Sequence, residues 1–196
     1  MLLASVVMTG CASMTADECK SANWKEVGVS DGLKGRPSSF LVERVNDCLK
    51  TGVRLDTALY ADGRDQGLQN FCRFENAAVL GVNGTDYAGV CPAAVEVEFR
   101  RRYDTGHAVF DLRNKVSDLN NRGERLQKRV EETNKDEDRI LKATDKYADR
   151  QRIRNEFEAR YYNLSKESFE LEREKQTTRS ALQTAEYSLD SLRIKK

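Results

Sequence analysis

The sequence is poor in the groups that most catalytic chemistry requires. Among 196 residues it has a single histidine, His107, and a single tryptophan, Trp24. His107 has Asp104 and Asp111 near it in sequence. A lone histidine beside a glycine is nevertheless more often structural or solvated than a general base. No C-x-x-C pair occurs, which argues against a zinc site and against a dithiol redox site. Calcium loops of the D-x-D-x-D-G kind are absent, and the runs GVSDGLKG and GRDQG match neither a phosphate loop nor a dinucleotide fingerprint. The G-V-S-D-G run around Ser30 lacks the flanking strand of a nucleophile elbow. Net charge is +1, so nothing steers the chain toward nucleic acid. No cofactor is implied, and the sequence reads as that of a non-enzyme.

Long apolar runs are missing too. The N-terminal stretch Leu2 to Met8 is interrupted by Ser5 and falls far short of the roughly 20 residues that span a bilayer. It fits the apolar core of an export signal, and Thr9 and Gly10 place small residues ahead of Cys11. The segment resembles a bacterial lipobox, with Met8 where leucine is more usual. Residues 1–10 are therefore expected to be a signal peptide, Cys11 the lipidated residue and 11–16 a tether. Several acyl chains hold a protein firmly at a membrane. By resemblance to the sorting rule of diderm bacteria, Ala12 in place of aspartate implies the outer membrane, at its periplasmic face. No basic residue precedes the apolar run, so a start further upstream is expected.

With Cys11 set aside, four cysteines remain, Cys19, Cys48, Cys72 and Cys91, all in the first half. An even number in an exported chain reads as two disulfides. Three pairings are open; Cys19–Cys48 with Cys72–Cys91 is favoured because each closes a local loop.

Proline, cysteine and, apart from Gly123, glycine vanish after residue 106. Such a shift marks a change of architecture. The chain divides into a head, 17–106, and a charged helical region, 107–194. The expected fold class is mainly α: a small disulfide-stapled, Gly-rich head followed by a long coiled-coil-like helix or an antiparallel helical hairpin. In the head, aromatics stand shortly before glycines: Tyr60 and Gly63, Tyr87 and Gly89, Tyr103 and Gly106. Tight turns with positive φ at these glycines would fold the rings back into a small core. A domain of this size is marginal on packing alone, and disulfides make up the difference. Phe40 to Leu49 has helical spacing, with Ser38 or Ser39 as cap and Gly52 as stop. A short helix is expected around Asp65 to Cys72. Ala93 to Arg102 alternates Val95, Val97 and Phe99 as a strand would, and equally suits the start of the long helix.

Beyond the junction, Val109, Leu112, Val116, Leu119, Leu126 and Val130 follow the threes and fours of a coiled coil. The row weakens over Glu131 to Arg139 and resumes at Ile140 and Tyr147. A second register runs through Tyr161, Leu164, Leu171, Leu182, Ala185, Leu189 and Leu192, with a stutter-like shift around Arg154 to Glu158. Either one helix of roughly 130 Å or a hairpin turning near Thr133 to Asp138 fits. Four i,i+4 pairs are available: Glu124–Lys128, Glu131–Lys135, Asp138–Lys142 and Glu156–Arg160. Gly123, Thr144, Ser168, Lys175 and Thr178 weaken the seam, which points to a partner surface in the same chain or another.

A set of head residues recurs in order and spacing as a family pattern. It comprises Trp24, Gly28, Asp31, Gly32, Gly35 and Cys48, then Asp56, Tyr60, Gly63, Gly67, Leu68 and the Phe71–Cys72 pair. Gly81, Gly84, Tyr87, Gly89 and the Val90–Cys91–Pro92 triplet follow, with Tyr103 and Gly106 trailing. Over roughly residues 17 to 106 the chain resembles the DUF2799 family of bacterial lipoproteins of unknown function. Phe71 stands where that family more often has tyrosine. The resemblance implies an exported, lipid-anchored protein and brings no catalytic residue with it.

Aspartates beside the glycines are the remaining chemical groups: Asp31, Asp56, Asp62, Asp65 and Asp86. Two brought together would serve as acid and base on a glycan, or hold calcium; the plainer reading is that they cap turns. Arg100, Arg101 and Arg102 form a basic cluster that suits anionic head groups or a solvated face. The leading expectation is a scaffold or protein-interaction lipoprotein of the envelope. It would bind the membrane through its lipid and an envelope protein, or a second copy, through its helical region. Tyr161, Tyr162, Phe169 and Tyr187 are the candidate contacts. One alternative is a glycan or peptidoglycan binder, or weak hydrolase, with a groove of Trp24, Asp31, Tyr60, Asp65 and Tyr87. Another is a periplasmic holdase or adaptor that clasps proteins with a helical hairpin.

Overall fold

A computed structural model describes residues 14–194. The expected signal peptide, Cys11 and the expected tether up to Ser13 lie outside the described residues. Those described form seven helices and no strand, in agreement with a mainly α fold. They are α1 (Ala16–Ser21), α2 (Trp24–Leu33), α3 (Ser39–Lys50), α4 (Thr57–Phe71), α5 (Phe74–Val82), α6 (Ala93–Lys142) and α7 (Tyr147–Ile194). The chain forms two compact units, Met1–Asp104 and Thr105–Lys196, with the division inside α6. No described helix is long and apolar enough to cross a membrane.

In the first unit the helix starts are written in the sequence. Thr15 and Glu18 make a capping box: the Thr15 hydroxyl accepts from the Glu18 amide at 3.3 Å, and the Glu18 carboxylate accepts from the Thr15 amide at 2.8 Å. Asn23 caps α2 and Asp56 caps α4, the latter accepting from the amides of Ala58 and Leu59. Ser38 occupies the N-cap of α3 without a side-chain hydrogen bond, and Gly52 follows its end with φ +76°.

The glycine clusters are a correction to the sequence reading. Gly28 and Gly32 lie in α2, and Gly63 and Gly67 in α4, all with helical backbone. Residues four apart share one face of a helix, so each pair makes a flat notch. The two notches meet. A Cβ on Gly28 would overlap the carbonyl oxygen of Tyr60, and one on Gly32 that of Arg64. One on Gly63 would overlap the carbonyl oxygen of Lys25, and one on Gly67 that of Val29. These glycines serve close backbone approach, not turning. Of the three aromatic–glycine pairs, only Tyr87–Gly89 is a turn, with Gly89 at φ +66°; Tyr103 and Gly106 lie in α6.

Two small cores result, each with its own disulfide. Cys19, Trp24, Cys48 and Tyr60 form one. Leu68, Phe71, Cys72, Ala77, Cys91 and Phe99 form the other, with Tyr87 and Tyr103 packed against it. Cys19–Cys48 ties α1 to α3, and Cys72–Cys91 ties the end of α4 to the entry of α6. Both are the local pairings that the sequence favoured. The α4 helix contributes to both cores, Tyr60 to one and Leu68 and Phe71 to the other. The 93–102 stretch is helix, which decides against the strand. Pro92 supplies a fixed φ at the start, its carbonyl accepts from Val95 and Glu96, and Glu96–Arg100 and Glu98–Arg102 pair one turn apart.

The second unit is an antiparallel hairpin. The seam is built by Leu119 and Leu126 of α6 against Leu164 and Leu171 of α7, with Val130 beside them. The chain reverses at 143–146, not near 133–138 as expected. The run from 131 to 139 is polar but contains nothing that stops a helix. The reversal is secured where the last carbonyls of α6 find donors: Arg150 Nη1 donates to Leu141 O at 2.8 Å and to Thr144 O at 3.0 Å. The expected register shift at 154–158 is absent. Phe157, Leu164, Leu171 and Thr178 are all buried at seven-residue intervals, so the two registers belong to two helices. None of the four expected i,i+4 ion pairs forms among the described residues. Arginines reach across the hairpin instead, Arg129 to Glu167, Arg122 to Glu174 and Arg113 to Glu186. Gly123 leaves room for Lys175, whose Nζ would stand 2.8 Å from a Cβ there.

Candidate functional site

The groove expected from Trp24, Asp31, Tyr60, Asp65 and Tyr87 does not assemble. Trp24 and Tyr60 are core residues of one cluster, and Tyr87 packs against the other. Asp65 is exposed on α4. Asp31 is 1% exposed inside α2. The reason is the glycine crossing: it brings α4 so close that Tyr60 turns inward, onto Asp31.

Asp31 is the centre of a polar network. Arg44 grips it with both ends of its fork, Nε to Oδ2 at 2.7 Å and Nη2 to Oδ1 at 2.9 Å. The Tyr60 hydroxyl donates to Oδ2 at 2.9 Å. Arg36 Nη1 stands 3.6 Å from Oδ1. Burial, reinforced by the carboxylate of Asp31, pushes the Tyr60 hydroxyl up to about 12. Burial works against the charged Arg44, but its hydrogen bonds to Asp31 win and its pKa is raised. The Phe40 ring lies 4.1 Å from the Arg36 guanidinium carbon and 5.6 Å from that of Arg44. A buried carboxylate so fully bonded is a structural group, not a free acid or base.

The other sequence candidates have plain roles. Asp56 caps α4, as the capping reading held for the aspartates. Asp62 pairs with Lys25 at 2.8 Å. Tyr87 donates to Glu96, and burial together with that bond pushes its hydroxyl up to about 12. Arg100 pairs with Glu96, and Arg101 and Arg102 share Glu98, so each member of the basic triplet is paired with a glutamate. His107 Nδ1 lies 3.0 Å from Asp111 Oδ2 within α6. Ser30 sits inside α2, so its glycine-flanked run is helix rather than the sharp strand-to-helix turn of a nucleophile. Among the described residues no three metal-ligating side chains gather.

The hairpin carries the feature with most surface to offer. Tyr162, Phe169 and Tyr187 are 72%, 70% and 79% exposed. From Tyr162 to Phe169 is seven residues and from Phe169 to Tyr187 eighteen, so at about 100° per residue the three share a stripe within about 20°. Leu171, nine residues beyond Tyr162, is about two and a half turns away and faces the seam. The fourth candidate, Tyr161, is half-buried and donates to Glu137 Oε2 at 2.7 Å across the hairpin. An aromatic row opposite a leucine seam was legible in the spacing of α7.

Comparison with known proteins is brief. Residues 23–108 match the family model described as "Protein of unknown function (DUF2799)". Neither the curated proteins nor the solved structures contain a match to the chain. The DUF2799 match is thus confined to residues 23–108, the part of the chain that holds the glycine crossing and both cores' aromatics.

Proposed function

We propose that the chain is a lipid-anchored protein of the periplasmic face of the outer membrane. It acts there as a non-enzymatic scaffold whose hairpin contacts another envelope protein. The exposed aromatic stripe of α7 carries this reading. Large apolar rings in a row on a surface mark interaction sites, because a soluble surface gains nothing by exposing them. The anchor rests on the resemblance of residues 8–11 to a lipobox. The address agrees with two disulfides, which persist in oxidising compartments such as the periplasm.

In-cell photo-crosslinking tests it, with probes replacing Tyr162, Phe169 and Tyr187 in turn and a control probe at the exposed Lys128 of α6. The expected outcome is one discrete envelope protein captured from the α7 positions and not from Lys128. That capture is expected to drop when the two remaining stripe aromatics are changed to serine. Capture of only a second copy would make the stripe a self-association face. No capture from any stripe position would end the scaffold reading.

A further inference from the structure

We propose that the head binds a phosphate group on the arginine cluster Arg36, Arg44 and Arg64. Arg44 and Arg36 both lean on one buried carboxylate, Asp31, and Arg64, which donates to the Arg36 carbonyl, has none, so three guanidiniums stand against a single negative charge. This is not a basic background: between residues 14 and 104 the sequence has 12 Lys and Arg against 14 Asp and Glu. It differs from the triplet Arg100, Arg101 and Arg102, in which every arginine reaches a glutamate, Arg100 to Glu96 and both Arg101 and Arg102 to Glu98.

Asp31 is already spent on Arg44 and Tyr60, and Arg36 reaches it only at 3.6 Å. Arg64 donates through Nη2 to a neutral acceptor, the carbonyl of Arg36, at 2.9 Å. None of the described carboxylates pairs with Arg64, and its Nε is buried with no acceptor at all. A buried N–H without an acceptor is a cost that the fold carries unless a ligand removes it. A phosphate is the matching ligand. Its oxygens suit the planar fork of arginine, and a dianion balances the two spare charges. The cluster is within reach of solvent: the side chains of Arg36 and Arg44 are 32% and 17% exposed. Phe40 lies under the Arg36 guanidinium, which leaves the edge donors of that fork to a ligand. In this arrangement Arg36 and Arg64 are the ligands. Arg44, held on Asp31, is a positioning residue that fixes the charge of the floor.

The phosphate has two sources, a free phosphate-bearing solute or a lipid head group. The test uses the full chain at constant ionic strength, with inorganic phosphate titrated against chloride. The arginine Nε–H signals are followed by NMR, and thermal unfolding is followed in parallel. The expected result is a saturable shift of the Arg64 Nε–H signal with a matching rise in Tm. Arg64→Gln is expected to weaken the response at least about tenfold, which corresponds to one lost charge-assisted contact. Arg36→Gln is the second variant, should Arg64→Gln fail to fold, and the same loss is expected of it. Vesicles containing phosphatidic acid, whose monoester phosphate can carry two negative charges, then separate the sources. Arg64-dependent vesicle binding assigns the site to a lipid head group, and its absence beside a phosphate response assigns it to a solute. A wild-type chain that shows no saturation, or folded variants that respond like wild type, would overturn the proposal.

Discussion

Around Asp31 the protein spends a tyrosine and two arginines on one carboxylate, and this sets a pH limit on the head. The Tyr60 hydroxyl titrates near 10 when unfolded and at about 12 when folded, because burial and the neighbouring carboxylate disfavour phenolate. Between those values the folded state holds a proton that the unfolded state has released. Stability from this group is therefore complete below about pH 10 and is lost as pH rises toward 12. Tyr87 acts in the same direction. Tyr60→Phe removes one of the two slopes and deprives Asp31 of a donor. It is expected to cost about 1–3 kcal/mol at pH 8, with a smaller further loss between pH 9 and 11 than wild type shows. Urea denaturation at those pH values measures both quantities, and equal alkaline slopes in the two proteins would mean that Tyr60 is not the titrating group. This network was not legible in the sequence. Its members are 13 and 29 residues apart, and only the crossing of α2 and α4 brings them together.

At the scale of elements, that crossing depends on four glycines whose value comes from absent carbon. In an ordinary helix Gly→Ala gains about 1 kcal/mol. At Gly63 the new Cβ would meet the carbonyl of Lys25, a backbone group that no rotamer change can move. Gly63→Ala is therefore expected to destabilise the head by about 1–3 kcal/mol or more despite the better propensity. Gly52→Ala is the contrast. Nothing lies within 4 Å of a Cβ there, but φ is +76°, so only the left-handed backbone is strained, at about 1–2 kcal/mol. Chemical denaturation that found Gly63→Ala stabilising would mean that the two helices do not meet at this notch. The G-x-x-x-G spacing of both notches is visible in the sequence, but glycine serves turns and close approach alike, so the spacing alone does not tell the notch at Gly63 from a turn. The leucine periodicity of α6 and α7 is equally visible and gives the helices correctly. The place of their reversal is not: the polar run from 131 to 139 holds no glycine or proline to stop a helix, and the turn depends on Arg150 finding carbonyls nine and six residues back.

At the scale of the molecule, the two units are stabilised by different means, and that difference can be measured. The first unit has two small cores with a disulfide in each, closing sequence separations of 29 and 19 residues. Removing a native disulfide from a small domain typically costs about 2–5 kcal/mol, comparable with the whole stability that a core of this size supplies. The second unit has no cysteine and relies on its leucine seam, with exposed cross-helix ion pairs that fix alignment more than they stabilise. Reduction should therefore act on one unit only. Trp24, the sole tryptophan, is buried in the first unit and reports on it alone, whereas far-UV circular dichroism is dominated by the long helices α6 and α7. On adding a thiol reductant, tryptophan fluorescence is expected to show early loss of the head at temperatures where most ellipticity remains. Joint loss of both signals would mean that α6, which runs through both units, transmits the unfolding of one to the other. The compact units part between Asp104 and Thr105, and beyond residue 106 the sequence has no cysteine or proline and one glycine, because disulfides and glycine notches are needed only where a core is too small to hold itself together.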